Sequence, residues 1–296
     1  YTLSLHDALP ISMRSFGRER YATVNAFLNK SLANHPFAIA AHRGAPRGDI
    51  RENTLQAVIA SKVVGADIAE IDIIRSSDGE YFAFHDGFEP SRLGDVGSLL
   101  GRTGEEIAAL RYSDYPDTYY GHVERAGDIL KGIPDIVVNI DRSWRYWDTG
   151  FLDWLDGLHL EDRLLLKCPA EPRYLSALAD HAVKYMFMGM IERTEQLELF
   201  VEDERINTVG VELIAKTCDT PFNDSSVFTR LHERNLFAFV NALDLGNEQN
   251  GLCGYDDTTS IIRGPQYGWG KMLALGVDVI QTDWPEMCSL YRQRIS

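Results

Sequence analysis

The chain has 296 residues, 45% hydrophobic and 25% charged, which is the composition of an ordinary globular protein and not of a disordered, collagen-like or small disulfide-rich chain. Its 29 Lys and Arg against 44 Asp and Glu give a net charge of −15. That field repels a phosphate backbone and argues against a nucleic-acid partner, but a metal or a few local cations can reverse it inside a pocket for a small phosphorylated molecule. No apolar run approaches the ~18 residues of a membrane-spanning helix.

Tyr1–Ser12 reads YTLSLHDALPIS and resembles an in-frame translation of a common sequencing adapter. We expect residues 1–12 to be a non-native scar and 13–296 to form a single domain. The compartment stays open between the cytoplasm and a secreted or periplasmic location, and so does the oligomeric state. Arg14–Leu32 carries Tyr21, Val24, Phe27 and Leu28 at helical spacing and predicts an N-terminal helix. Phe37–Ala41 predicts a buried strand that ends in His42-Arg43-Gly44. Thr54–Val64 predicts a helix, stopped by Gly65. Ile68–Ile74 and Tyr81–Phe84 flank Asp78-Gly79, a hairpin signal.

Beyond the hairpin the rhythm is strand, then helix. Strands are predicted at Ile136–Ile140, Arg163–Lys167, Tyr185–Met190, Val209–Ile214, Leu236–Val240 and Val277–Gln281. Helices are predicted at Phe151–Leu158, Pro172–Val183, Thr194–Asp203, Ser225–Arg234 and Gln266–Leu275. Eight parallel strands over this length is the arithmetic of an α/β fold of the (β/α)8 TIM barrel kind, with Tyr81–Phe84 as an extra antiparallel hairpin strand after the second barrel strand. A doubly wound open sheet is disfavoured, because no glycine-rich dinucleotide loop follows the first strand. Two long connections, Arg111–Gly132 and Asp244–Gly270, interrupt the rhythm.

A two-residue Asp78-Gly79 loop would set Asp72 opposite His85, with Glu70 on the same strand face; Ile71, Ile73, Phe82 and Phe84 would form the other face. Two carboxylates and an imidazole on an otherwise apolar hairpin are costly to bury without a compensating cation. Charged residues also close other strands: His42 and Arg43, Asp141, and Lys167. In a parallel barrel these ends converge on one mouth. Glu70, Asp72 and Asp141 suit a single hard divalent cation, Mg²⁺ or Ca²⁺. Arg43 and Lys167 suit a phosphate, and His42 and His85 suit an acid/base pair. Together these are the needs of attack on a phosphodiester.

The four cysteines, Cys168, Cys218, Cys253 and Cys288, show no CxxC or zinc spacing and are expected to be buried free thiols. His122, His159, His181 and His232 are expected at the surface, and residues 202–205 on a solvated helix face. Asp86 is expected to be structural. Trp269 and Trp284 either line the mouth or pack.

The segments Ala41-His42-Arg43-Gly44, Glu52-Asn53-Thr54, Gly65-Ala66-Asp67, Glu70-Ile71-Asp72, Asp78-Gly79 and His85-Asp86 resemble, in order and near spacing, the glycerophosphodiester phosphodiesterase family. Gly276-Val277-Asp278 and Thr282-Asp283-Trp284-Pro285 look like that family's closing strand and loop. The resemblance implies a TIM barrel that hydrolyses glycerophosphodiesters, small molecules, to an alcohol and glycerol 3-phosphate. It implies His42 and His85 as acid and base, Arg43 on the phosphate, Glu70 and Asp72 on a metal, and Glu52 supporting them. Where the family carries Glu-x-Lys on the fourth strand, Asp141-Arg142-Ser143 stands here, which makes Asp141 the third ligand and Lys167 the replacement cation. Gly87-Phe88-Glu89-Pro90 also departs from the family and bears on the alcohol side. The runner-up readings are a sphingomyelinase D-like phospholipase, which would want an apolar rim, and a non-catalytic binding protein.

Overall fold

The computed structural model describes residues 14–33, 35–113, 121–215, 217–243 and 252–296. The proposed scar at 1–12 and parts of both long connections lie outside them. Among the described residues nine strands form: β1 (Ala38–Ala41), β2 (Ile68–Arg75), β3 (Tyr81–Ala83), β4 (Val137–Asp141), β5 (Leu164–Pro169), β6 (Met186–Ile191), β7 (Thr208–Leu213), β8 (Phe237–Asn241) and β9 (Val279–Thr282). Eight are parallel and close a ring in the order β1-β2-β4-β5-β6-β7-β8-β9, with β9 and β2 both paired to β1. β3 lies outside the ring, antiparallel to β2. This is the predicted barrel with its extra strand.

The period-2 geometry of the strands sorts the side chains. Alanines, valines and leucines of one parity face the helices and build the outer core, with Ile39, Ala69, Ile71, Val138, Leu166 and Val211 among them. The other parity fills the lumen. There the bottom is apolar: Ala38, Ile68, Val137, Leu165, Met186, Phe237 and Val279 pack together. Phe16, Leu28 and Leu32 close this end from the N-terminal segment and its helix Ala22–Ala33. One or two steps further along the same strands the lumen becomes polar, with Glu70 and Asp72 after Ile68, Asn139 and Asp141 after Val137, Lys167 after Leu165, Glu212 after Gly210, and Gln281 after Val279. Gly210 leaves the volume that the Phe237 ring occupies, since a Cβ there would collide with that ring.

The hairpin departs from expectation. Three residues (77–79), not two, separate the paired ends, and Ser76 N donates to Glu80 O, with Gly79 at φ +98°. Ile73 therefore pairs with Ala83, and Phe84 N donates to Asp72 O. Phe84, not His85, stands opposite Asp72. The one-residue slip also splits the expected apolar face. Ile71, Ile73, Tyr81 and Ala83 join the outer core, while Ile74, Phe82 and Phe84 seed a satellite core with Leu93, Leu99, Ile107 and Tyr112.

Several helices were not visible as apolar periodicity: Glu89–Arg92, Gly104–Ala108, Ala126–Gly132, Asp257–Ile262 and Pro285–Ile295. The last buries Pro285, Cys288, Ser289 and Arg292, a face in which polar residues substitute for apolar ones. Arg292 spans Phe37 O, Asp67 and Gly65 O beneath the barrel. The helix predicted over Thr194–Asp203 ends at Val201, so 202–205 form a solvated turn.

Candidate active site

The mouth is built from the strand ends upward. After β1, Arg43 takes a left-handed backbone, φ 55°, and turns its N–H onto Glu70 Oε2 at 2.8 Å. Its guanidinium lies 2.9 Å from Glu52 Oε1 and 3.3 Å from Asp72 Oδ2, and 4.3 Å over the Phe88 ring. Asn53, also left-handed, clamps Asp72 from both sides: its Nδ2 donates to Asp72 Oδ2 at 3.0 Å, and its Oδ1 accepts from Asp72 N at 2.8 Å. Thr54 then caps the helix Leu55–Val63 through Ala57 N. The Glu52-Asn53-Thr54 segment is thus a scaffold that aims Arg43 and Asp72 and starts a helix. Glu52 itself carries two arginines, Arg43 and Arg92, and they hold its carboxyl below the usual range against the cost of its burial.

Glu70, Asp72 and Asp141 converge. Carboxylate oxygens of all three lie within 4.8 Å of one another. β2 and β4 run side by side with Glu70 level with Asn139 and Asp72 level with Asp141, so the register itself brings the three together. Glu70 is buried, and its Oε1 has no hydrogen-bond partner. Burial and then the charges of Asp72 and Asp141 push its pKa up to about 8. Three oxygen donors around one point, one of them orphaned, fit a hard divalent cation. A second trio, Asp153, Asp156 and His181, lies outside the barrel, where His181 already bonds Asp156 at 3.1 Å and Tyr185 bonds the same carboxylate at 2.7 Å.

Lys167 points into the mouth and is buried, 2.9 Å from Asp141 Oδ2 and 3.0 Å from Glu212 Oε2. Burial opposes its charge, but Asp141 and Glu212 outweigh it and hold the ammonium protonated. Asn241 Nδ2 fixes the other oxygen of Glu212 at 2.6 Å. Ser143, at the position of the family's lysine, is buried and accepts from Trp147 Nε1.

His42 lies beside β9, with its N–H on Thr282 O, and its Nδ1 meets Asp283 Oδ1 at 2.8 Å. A carboxylate only accepts here, so the Nδ1 proton is fixed and Nε2 is left to face the mouth. Burial works against protonation, but Asp283 and the charge of Glu70 prevail and raise the pKa of His42. His85 lies past the end of β3, where the chain has left the ladder, and it reaches the rim from that loop. Its Nδ1 donates to Asp86 O at 2.8 Å, and its Nε2 accepts from Arg142 Nη1 at 3.2 Å. Arg142 directly follows Asp141, is left-handed at φ 63°, and also pairs with Asp86.

The sequence named eight residues, and the structure places all of them at strand ends or loops of the mouth. It did not name Asn53, Asp283, Glu212, Asn241, Arg92 or Arg142 for these contacts. Glu212 had a signal: a lone carboxylate inside the apolar run Val209–Ile214, like Lys167 in its own strand. Trp269 is buried, donating to Asp257, whereas Trp284 is exposed under the Arg47 guanidinium. His232 and His181 are not simple surface residues, because each is mostly shielded and bonded to an aspartate, Asp278 and Asp156. Cys218 is exposed, contrary to expectation. Asp86 is paired with Arg142 and Arg145 and anchors the His85 loop.

Two outcomes follow. In metal-free protein, an NMR titration should place His42 above the ordinary imidazole value of 6.5, and Asp283→Asn should move it down. Because the folded pKa is raised, this pair stabilises the fold below the unfolded imidazole pKa, and that contribution disappears as pH rises through the folded value. A His42 midpoint unchanged by Asp283→Asn would contradict the pairing. Lys167→Met should cost about 3–5 kcal/mol in urea unfolding, since it strands Asp141 and Glu212 in the lumen. A loss under about 1 kcal/mol, the worth of an exposed pair, would show the ammonium to be solvated instead.

A family model described as a domain of unknown function matches residues 185–291, from the start of β6 into the last helix. No curated protein matches the chain. Among solved structures, a glycerophosphoryl diester phosphodiesterase from Parabacteroides distasonis is similar with a TM-score of 0.69 at 15% identity, over 88% of this chain and 87% of that one. One from Thermotoga maritima gives 0.60 at 18%, over 86% and 98%. A phosphodiesterase from Oleispira antarctica, in complex with the product sn-glycerol-3-phosphate, gives 0.60 at 14%, over 88% and 99%. At such identities the likeness is one of fold, and the chain folds as the barrel that glycerophosphodiester phosphodiesterases share.

Proposed function

We propose that the protein is a metal-assisted phosphodiester hydrolase that cleaves glycerophosphodiesters to an alcohol and glycerol 3-phosphate. The observation that carries this reading is the convergence of Glu70, Asp72 and Asp141 at the mouth of a barrel whose rim also holds His42 and His85. The fold likeness supports the substrate class, since one such neighbour binds sn-glycerol-3-phosphate. The three carboxylates would hold Mg²⁺ or Ca²⁺, which when bound supplies charge neutralisation on the phosphoryl oxygens.

The chain's own groups divide the proton work. His85 keeps its proton on Nδ1, against the Asp86 carbonyl, and its Nε2, which accepts from Arg142 in the resting site, takes the proton of the attacking hydroxyl, from water or from the neighbouring glycerol oxygen, once the substrate displaces that contact. His42, held by Asp283 and biased toward its charged form, gives its Nε2 proton to the departing alkoxide. Arg43 lies beside the ligand set and contributes positive charge where the phosphate would sit, while Asn53 keeps Asp72 aimed. Lys167 sits behind Asp141, so its charge balances the carboxylates and reaches the phosphate through them.

The test is a substrate panel of glycerophosphocholine, glycerophosphoethanolamine, glycerophosphoglycerol and lysophospholipid, each with and without EDTA. Release of glycerol 3-phosphate that EDTA abolishes is expected, with His42→Ala and His85→Ala each lowering kcat by at least about 100-fold. Turnover of lysophospholipid alone would move the protein to the phospholipase reading. No turnover of any member, with intact metal binding, would leave a binding protein.

A further inference from the structure

Two cysteines meet on the rim, in the loops that follow β7 and β8. Phe222 anchors the first loop in the core and Leu252 anchors the second, and the short turns Pro221–Asn223 and Leu252–Gly254 pack against each other. Cys218 is exposed on the first loop. Cys253 is buried on the second, with a left-handed backbone at φ 58° that a side chain adopts only when its surroundings enforce it. Cys218 acts on Cys253 as its neighbouring thiol, and burial and then that thiol push the pKa of Cys253 up to about 11. The Tyr255 phenol lies within electrostatic reach of both sulfurs. The other two cysteines, Cys168 and Cys288, are buried and have no such neighbour among the described residues.

We propose that Cys218 and Cys253 form a dithiol that a small soluble disulfide of the glutathione type oxidises to an intramolecular disulfide at the rim of the mouth. The exposed Cys218 thiolate attacks one sulfur of the small disulfide, forming a mixed disulfide and releasing one small thiolate, which takes up a proton. Cys253 then loses its proton and attacks the Cys218 sulfur, forming the internal bond and releasing the second small thiol. Two protein thiols are oxidised and one small disulfide is reduced to two thiols, so no further oxidant is required. Packing of the two turns is what makes the second step intramolecular and favours the internal bond over a lasting adduct. The bond would join the segments that follow β7 and β8, the strands carrying Glu212, which holds Lys167, and Asn241, which holds Glu212, so it would stiffen the rim without touching the ligand set. This site is independent of the hydrolytic reading.

The experiment incubates the full-length protein with oxidised glutathione, alkylates the remaining thiols after denaturation, and reads intact and peptide masses. Two alkylated cysteines instead of four are expected, with the Cys218 peptide joined to the Cys253 peptide and dithiothreitol restoring all four. The Cys218→Ser protein, changed at an exposed position, should form no internal link and leave Cys253 open to alkylation. A stable glutathione adduct on Cys218 with Cys253 still alkylated would overturn the proposal, as would four alkylated cysteines after oxidation. A cross-link made equally well with the chain unfolded would show that native contact is not its cause, and would overturn it too.

Discussion

Three carboxylates facing one another at the buried inner end of the mouth set the terms for the rest of it. Glu70, Asp72 and Asp141 have oxygens within 4.8 Å of one another, at a depth where charge is poorly screened. Two nearby cations are divided between these carboxylates and others. Lys167 is shared between Asp141 and Glu212, and Arg43 between Asp72 and Glu52. Among the described residues, Glu70 accepts a hydrogen bond from the Arg43 backbone N–H on one oxygen, and its second oxygen has no hydrogen-bond partner. A carboxylate left in that state is pushed toward its neutral form, and a divalent cation at the shared point would reverse the push. The metal reading therefore grows from an imbalance internal to the site.

The barrel produces this imbalance with little extra machinery. Alternation along each strand sends one parity into the lumen, and the residue type changes from apolar to charged on moving toward the C-terminal ends. The apolar end is sealed by the N-terminal helix, so the polar end alone opens to solvent. Register then decides which charges meet: β2 beside β4 sets Asp72 level with Asp141. Left-handed residues finish the work at the loops. Arg43, Asn53 and Arg142 each bend the chain at a strand end or in the loop beyond it and turn a donor toward a carboxylate, a local backbone cost set against those contacts.

Much of this was legible in the chain itself. Buried parallel strands are near-continuous apolar runs, so β1, β2 and β4–β9 stood out, and a charge closing such a run marked Asp141 and Lys167. The hairpin shows what local pattern cannot give. Asp78-Gly79 does mark the turn, but the turn holds one residue more than that pair implies, and the register shifts by one. His85 still reaches the rim because the chain leaves the strand before it, so the expected residue arrived by a different route. The anchoring contacts were beyond reach for another reason. His42–Asp283 and Arg142–His85 join residues 241 and 57 positions apart, and only closure of the ring brings them together. The C-terminal helix was missed because its buried face uses Ser289 and Arg292, bonded beneath the barrel, where periodicity looks for aliphatic side chains.

If the imbalance at Glu70 is what a cation relieves, the three carboxylates hold a single ion between them. Crystals soaked in Mn²⁺ and measured for anomalous scattering test it directly, because the ion's position is read without reference to activity. One strong peak is expected at about 2.0–2.6 Å from oxygens of Glu70, Asp72 and Asp141, with Glu70 Oε1 among them. A mouth without a peak, Lys167 reaching across to all three carboxylates and ion density confined to Asp153, Asp156 and His181, would contradict it.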